Sequence, residues 1–437
     1  MTPTTTFPLT APQREVWRRE ALTPRRSRYN NPLAVRLTGP LDVALLADAV
    51  SAVVARHPLL SAVVDADGDE PRLREDGRPG IVRLERDDSL AGGAPSAQDI
   101  DDELRRYARE PFDLIDGPLF RARVYHLGDD DHVLHLVAHH LIADGTSIEL
   151  IAADTSRAYD GLAATGEAGL EPPGARYADF AEWYERRLQG PDHREELAEW
   201  ADYLGDVPLG LPVARRAPKS GRTLAYDLRV ADAAALREAA AWHRGTLFVL
   251  ALTSLQCALR QHTGHERFSV FVPFSGRTEP EFADVVGYFV NVLPVRAVVP
   301  GDADPLEVFR ANAHSLPDLL DRQLVPGGQI LGATATPPAR ATPYTARVLL
   351  NIRPPRSKLF ADAGLHARVV LGEPVVGYDL SLVAQEEDNA LVWEIRADPA
   401  VFPEPLFHAL VSDFTAGFGG IDTAAPPAER HAPTSDS

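Results

Sequence analysis

The residues best suited to chemistry are two adjacent histidines, His139 and His140, followed closely by an acidic turn in His139-His140-Leu141-Ile142-Ala143-Asp144-Gly145. Imidazole titrates near neutrality, so a histidine held on a short loop between rigid elements suits proton transfer as a general base or an orienting group. A histidine pair can equally be structural or bind metal. Zinc is disfavoured here, since the chain has one cysteine, Cys257, and no His-Glu-x-x-His pattern. His135 lies four residues before His139, a spacing that makes no ligand clamp along a strand. No metal is expected.

The elements that position the pair can be read on either side. Asp131 to Ala138 has strand propensity and follows the turn Gly128-Asp129-Asp130, so a strand delivers the histidines to a loop. Alternation puts His140 on the face of Ala138 and Leu136, and His139 on the face of Val137 and His135. Only one of them can then face a given cavity. Asp144-Gly145 makes a turn, and Thr146-Ser147-Ile148-Glu149 carries a capping-box pattern that opens an amphipathic helix running to Leu162.

At 437 residues the chain predicts two domains, placed at 1–174 and 175–423, with a polar, Pro-containing tail at 424–437 expected to be disordered. Hydrophobic content of 45% and charged content of 24% are those of an ordinary soluble globular protein. Neither a signal peptide nor a membrane-spanning run is present, and a single cysteine excludes an intramolecular disulfide, so the expected location is cytoplasmic. A formal charge of -19 argues against nucleic-acid binding. Arg14, Arg18, Arg19, Arg25, Arg26 and Arg28 cluster near the N-terminus, as a local patch for an acidic partner or as a solvated helix face.

Helical periodicity spans Leu41 to His57, Glu195 to Tyr203, Ala231 to His262 and Glu404 to Phe418. Residue type alone makes His57 a surface residue at a helix end, favourable at the negative end of the dipole. Residues 65 to 99 read as turns joining short strands, and an alternating strand follows at Leu119 to Tyr125. Further strands are expected at Arg267 to Phe274, Ala346 to Ile352, Ala367 to Leu371, Tyr378 to Ala384 and Leu391 to Ala397. Periodicity by itself yields an α/β or α+β protein of two lobes.

Several stretches together resemble the condensation domains of nonribosomal peptide synthetases, within the chloramphenicol-acetyltransferase-like acyltransferases. His139 to Gly145 is similar to the HHxxxDG signature. Leu9 to Trp17 resembles the opening motif, and Arg56-His57-Pro58-Leu59-Leu60 the second. Tyr177-Ala178-Asp179-Phe180-Ala181-Glu182-Trp183 matches the fourth almost letter for letter, and Val286 to Arg296 matches the Gly-x-Phe-Val-Asn stretch of the fifth. The sixth is poorly kept at Arg322-Gln323-Leu324-Val325-Pro326-Gly327-Gly328 and is followed by an Ala, Thr and Pro-rich loop from Gly332 to Pro343. In all, the resemblance covers positions 9 to 420.

It implies two chloramphenicol-acetyltransferase-like lobes in a V-shaped pseudo-dimer, each a mixed sheet with flanking helices. A donor acyl group would arrive as a thioester on the phosphopantetheine of an acyl or peptidyl carrier protein, with no cofactor bound intrinsically. The acceptor would be a small amine or alcohol, free or carrier-bound. His140 becomes the catalytic residue; His139, Asp144, Gly145, Arg277 and Asn291 become site architecture, with Asp144 paired to Arg277. Met1, one catalytic unit and a tail without sequel make a free-standing monomeric enzyme the expectation, against an excised synthetase domain. Alternatives are a carrier-bound aminoacyl epimerase, a coenzyme A-dependent acyltransferase and a catalytically silent recruitment platform.

Overall fold

A computed structural model of the protein describes residues 5–22, 27–68, 70–75, 82–91, 95–213, 222–334, 344–353, 355, 358–360, 362, 364–371 and 377–420. Packing separates two units that are discontinuous in sequence. The first draws on the described residues of Met1–Glu196, Ser275–Asn291 and Arg356–Val376, and the second on Leu197–Phe274, Val292–Pro355 and Gly377–Ser437. From sequence a single boundary is expected at residue 174. Aromatic packing explains the difference: helix Tyr177–Leu188 buries Tyr177 and Phe180, whose rings meet Phe7 at 6.1 Å and Phe289 at 4.4 Å respectively. The tail expected to be disordered, 424–437, lies outside the described residues.

In the first unit, strand Asp131–His139 is central to a five-stranded sheet. Its neighbours are Asn30–Thr38 and Phe120–Gly128, both antiparallel to it, with His366–Leu371 and Leu84–Asp87 at the edges. Register sets Asn30 opposite His139, and Ala34 and Arg123 opposite His135. Helix Val43–Arg56 turns Leu46, Ala49, Val50 and Val53 inward, and it packs on helix Gly145–Thr165. Asp42 caps it by accepting the Ala44 and Leu45 amides. Within the stretch read only as turns and short strands begins a helix, Ala97–Ala108, capped by Ser96 and Asp99. Its Ile100, Leu104 and Tyr107 are buried.

The second unit holds a six-stranded mixed sheet in the order Asn291–Val298, Arg267–Phe274, Val348–Arg353, Leu380–Glu387, Ala390–Ala397, Leu224–Ala231. Its core gathers Phe268, Leu255, Trp393 and Phe414 under helices Leu247–Thr263 and Glu404–Gly420. The helix expected from Ala231 to His262 is two helices, Ala233–Trp242 and Leu247–Thr263. The break falls at Arg244, with φ of 62°, and Gly245, where a Cβ would come within 2.3 Å of the Phe309 ring. Ala and Leu periodicity continues across that junction, so composition alone does not reveal it. Each unit is thus a mixed sheet with flanking helices. Among the described residues no helix is long and apolar enough to cross a membrane.

Candidate functional site

Strand Asp131–His139 ends on the first histidine, and the backbone that follows is tied down almost residue by residue. His139 N–H donates to Leu119 O at 2.8 Å, His140 N–H to Tyr29 O at 2.7 Å and Ile142 N–H to His139 O at 2.9 Å. Gln13, fully buried, donates its Nε2 to Leu141 O at 2.6 Å while its Oε1 accepts from Thr10 N–H at 2.9 Å. From the neighbouring strand Asn31 Nδ2 donates to Asp144 O at 2.9 Å. Leu141, Ile142 and Ala143 are buried, so these buried polar partners replace the water that an exposed loop would use.

The helix begins earlier than its capping-box pattern suggests. Asp144 is the N-cap, accepting Ser147 N–H on Oδ1 at 2.8 Å, and Thr146 to Glu149 lies inside the first turns of Gly145–Thr165. Asp144 prevails because its carboxylate satisfies an otherwise orphaned donor and sits at the positive end of a 21-residue helix.

The two histidines occupy different environments. His139 is 1% exposed, with the rings of Tyr29 and Phe112 edge-on at 6.4 and 6.1 Å. Burial, and then the neighbouring His140, push its imidazole down to about 3, so it is neutral at physiological pH. Its Nδ1 accepts the Leu141 N–H at 3.2 Å, which places its proton on Nε2. A ring that already accepts on its only lone pair has none left to take a substrate proton. His140 is half-buried, with Nδ1 inside and its ring edge-on to Tyr288 at 5.7 Å.

Asp144 is surrounded. Besides Ser147 N–H, its Oδ1 takes Arg277 Nη2 at 3.1 Å, and its Oδ2 takes Phe289 N–H at 3.0 Å. The Arg277 side chain is only 7% exposed, and its guanidinium lies 3.8 Å over the Phe289 ring. Ser147 Oγ completes the junction, donating to Gly287 O at 2.7 Å and accepting from Gly287 N–H at 2.9 Å and Arg277 Nη2 at 2.8 Å. Asp144 N–H also reaches Gly287 O at 3.0 Å. Segment 275–291 is therefore pinned to the start of the histidine-bearing helix. Gly145 is the first residue of that helix and half-buried, and Asn291 is buried at the head of strand Asn291–Val298.

His57 is not a surface residue. It is 4% exposed, and its Nε2 lies 2.6 Å from Oδ2 of the buried Asp154, on helix Gly145–Thr165. Arg56 and Arg157 also reach that carboxylate. Burial works to raise the Asp154 pKa, yet the His57 hydrogen bond and the nearby Arg56 and Arg157 guanidinium groups hold it below the usual carboxylate range. The position after a helix end carries no sign of burial in sequence; the partner is 97 residues away.

Of the N-terminal arginines, Arg14 pairs with Glu185 at 3.0 Å and Arg19 with Glu15, while Arg25 and Arg26 lie outside the described residues. The stretch in place of the sixth motif enters helix Gly327–Thr334, and Arg322 pairs with Glu199. The Ala, Thr and Pro-rich loop lies outside the described residues from 335 to 343. Gln13, Asn31, Ser147, Tyr177 and Tyr288 complete the site without having been singled out from sequence. Gln13, Tyr177 and Tyr288 stand within recognised motifs but, like Asn31 and Ser147, bear no chemical mark until their partners are known.

A mixed-sheet unit with a histidine loop locked to segment 275–291, together with a second mixed-sheet unit, is the architecture of the condensation-domain class. Residues 4–416 match the condensation domain family model, and the chain belongs to that family. Phosphinothricin tripeptide synthetase PhsC of Streptomyces viridochromogenes is 32% identical over 340 residues, which cover 75% of this chain and 31% of the synthetase. Thus the chain spans under a third of that relative's length. Among solved structures, the first condensation domain of the CDA synthetase superposes with a TM-score of 0.80 at 21% identity, covering 96% of this chain and 97% of that one. The starter condensation domain of rhizomide synthetase RzmA, solved with C8-CoA, gives 0.81 at 20% identity over 95% of each chain.

Proposed function

We propose that the protein condenses an acyl or aminoacyl group, presented as a thioester on the phosphopantetheine of a carrier protein, with an amine or alcohol. Membership of the condensation family supports the reaction class. The observation that carries the assignment of roles is the contrast between the histidines: His139 is sealed and neutral with its lone pair engaged, whereas His140 is half-buried on an immobilised backbone.

His140 acts through Nε2, since its Nδ1 is buried. It accepts the proton of the attacking amine or hydroxyl, or orients its lone pair, as the nucleophile adds to the thioester carbonyl. The tetrahedral oxyanion then collapses, the thiolate leaves, and the proton returns to sulfur. Helix Gly145–Thr165 begins one turn from His140, and the Gly145 amide precedes the first intrahelical bond. It is a fitting donor to the oxyanion. Asp144 has both carboxylate oxygens committed to Ser147, Arg277 and Phe289, so it holds the loop and does not relay protons.

Intact-protein mass spectrometry tests this reading. An acyl-loaded carrier protein is incubated with a panel of amines and alcohols, wild type beside His140→Ala. Loss of acyl mass with a matching amide or ester, absent in the variant, is the expected result. Deuterium entering the α-carbon of an unchanged thioester would point instead to epimerization, and turnover with acyl-coenzyme A alone to a carrier-independent donor.

A further inference from the structure

We propose that Tyr288 sets the size limit on the nucleophile that reaches His140, selecting unbranched acceptors over bulky ones. This rests on the condensation reading given above. The Tyr288 ring stands edge-on to the His140 ring at 5.7 Å and 76°, and both side chains are half-buried. One flank of the imidazole is therefore walled by an aromatic ring, and an incoming amine or hydroxyl must use the space that ring leaves.

Tyr288 cannot yield by moving its backbone. On its N-terminal side Gly287 is held through both its N–H and its C=O by Ser147 Oγ, and a Cβ there would meet Tyr177 Cδ2 at 2.0 Å. On its C-terminal side the Phe289 amide is bound by Asp144, and the Phe289 ring lies 4.4 Å from that of Phe180. The Tyr288 carbonyl itself accepts from Tyr177 Oη at 2.8 Å. With the main chain fixed on both sides, the residue type at 288 translates directly into room beside His140.

The test compares wild type, Tyr288→Ala, Tyr288→Phe and Tyr288→Trp. Each is given carrier protein loaded with octanoyl or alanyl groups and primary amines graded from ethylamine to cyclohexylmethylamine. The reading is the ratio of kcat/KM for bulky over linear amines. Tyr288→Ala should raise it about tenfold or more, the scale on which a hydrophobic pocket discriminates by a methylene or two. Tyr288→Trp should lower it, and Tyr288→Phe should leave it within about twofold, because the wall and not the hydroxyl sets the limit. Transfer with the same ratio in all four proteins overturns the inference while leaving the condensation reading intact, as does a ratio that moves with Tyr288→Phe. Absence of transfer by the wild type with every donor and amine overturns both. Should Tyr288→Ala lose its melting transition, the Trp and Phe variants decide alone.

Discussion

Arg277 and Asp144, 133 residues apart in sequence, meet at 3.1 Å with their side chains 7% and 3% exposed, and the Ser147 and Phe289 amides donate to the same carboxylate. Removing either partner leaves the other buried without its counter-charge, which typically costs ~3–5 kcal/mol. Asp144→Ala and Arg277→Ala should each lower the urea midpoint and abolish turnover, while the double variant should be about as damaged as either single one. Simple addition of the two losses in a double-mutant cycle would separate the residues energetically.

His140→Ala should behave in the opposite way. The ring is half-buried, while the hydrogen bond that holds residue 140 to Tyr29 comes from the backbone and survives the substitution. Turnover should fall about 10²- to 10⁴-fold, the usual contribution of a positioned base, with the melting temperature nearly unchanged. A collapse in stability would recast His140 as structural.

Acid should destabilise the first unit through its sealed histidines. Burial pushes His135 and His139 to about 3, with Arg121 and Arg123 adding to the effect at His135 and His140 at His139. Unfolded, each would titrate near ~6.5, so between that value and about 3 the unfolded chain binds more protons than the folded one. Stability is therefore full above the unfolded value and falls as pH drops, by ~1.4 kcal/mol per pH unit for each such histidine. Urea midpoints between neutral and mildly acid pH should show a shallower slope in His135→Phe than in wild type. Equal slopes would mean that His135 does not titrate this way.

Gly287→Ala tests the fit of segment 275–291. Its methyl would lie 2.0 Å from Tyr177 Cδ2, a clash that neither the Ser147-bound backbone nor the ring can relieve cheaply. Overpacking of this kind costs ~1–3 kcal/mol. Denaturant unfolding should register that loss, and turnover should fall with it because the Gly287 contacts to Ser147 and Asp144, at the start of the histidine-bearing helix, are disturbed. A variant as stable and as active as wild type would show that the segment adjusts.

Much of the fold was legible because it is written in short-range terms. Strand Arg267–Phe274 carries its own alternation and propensity, and helix Glu404–Gly420 its own apolar periodicity. Less legible were strand Asn30–Thr38, whose residues are mostly buried and so do not alternate, and helix Ala97–Ala108, which is polar apart from a narrow buried stripe. A continuous Ala and Leu pattern hid the break at Gly245, because the reason for it is the Phe309 ring on a separate helix.

The histidine loop divides in the same way. Residue types and spacing alone determined that His139 and His140 leave a strand on opposite sides and that an Asp-Gly turn opens a helix behind them, since strand alternation and helix capping act within a few residues. Only the tertiary structure decided which histidine is sealed and neutral and that His57 is buried against Asp154. It also decided that Gln13, Asn31 and Ser147 hold the loop and that Tyr288 stands beside His140. Those outcomes depend on desolvation and on hydrogen bonds between residues far apart in the chain, and no local pattern encodes a partner that the fold has yet to bring near.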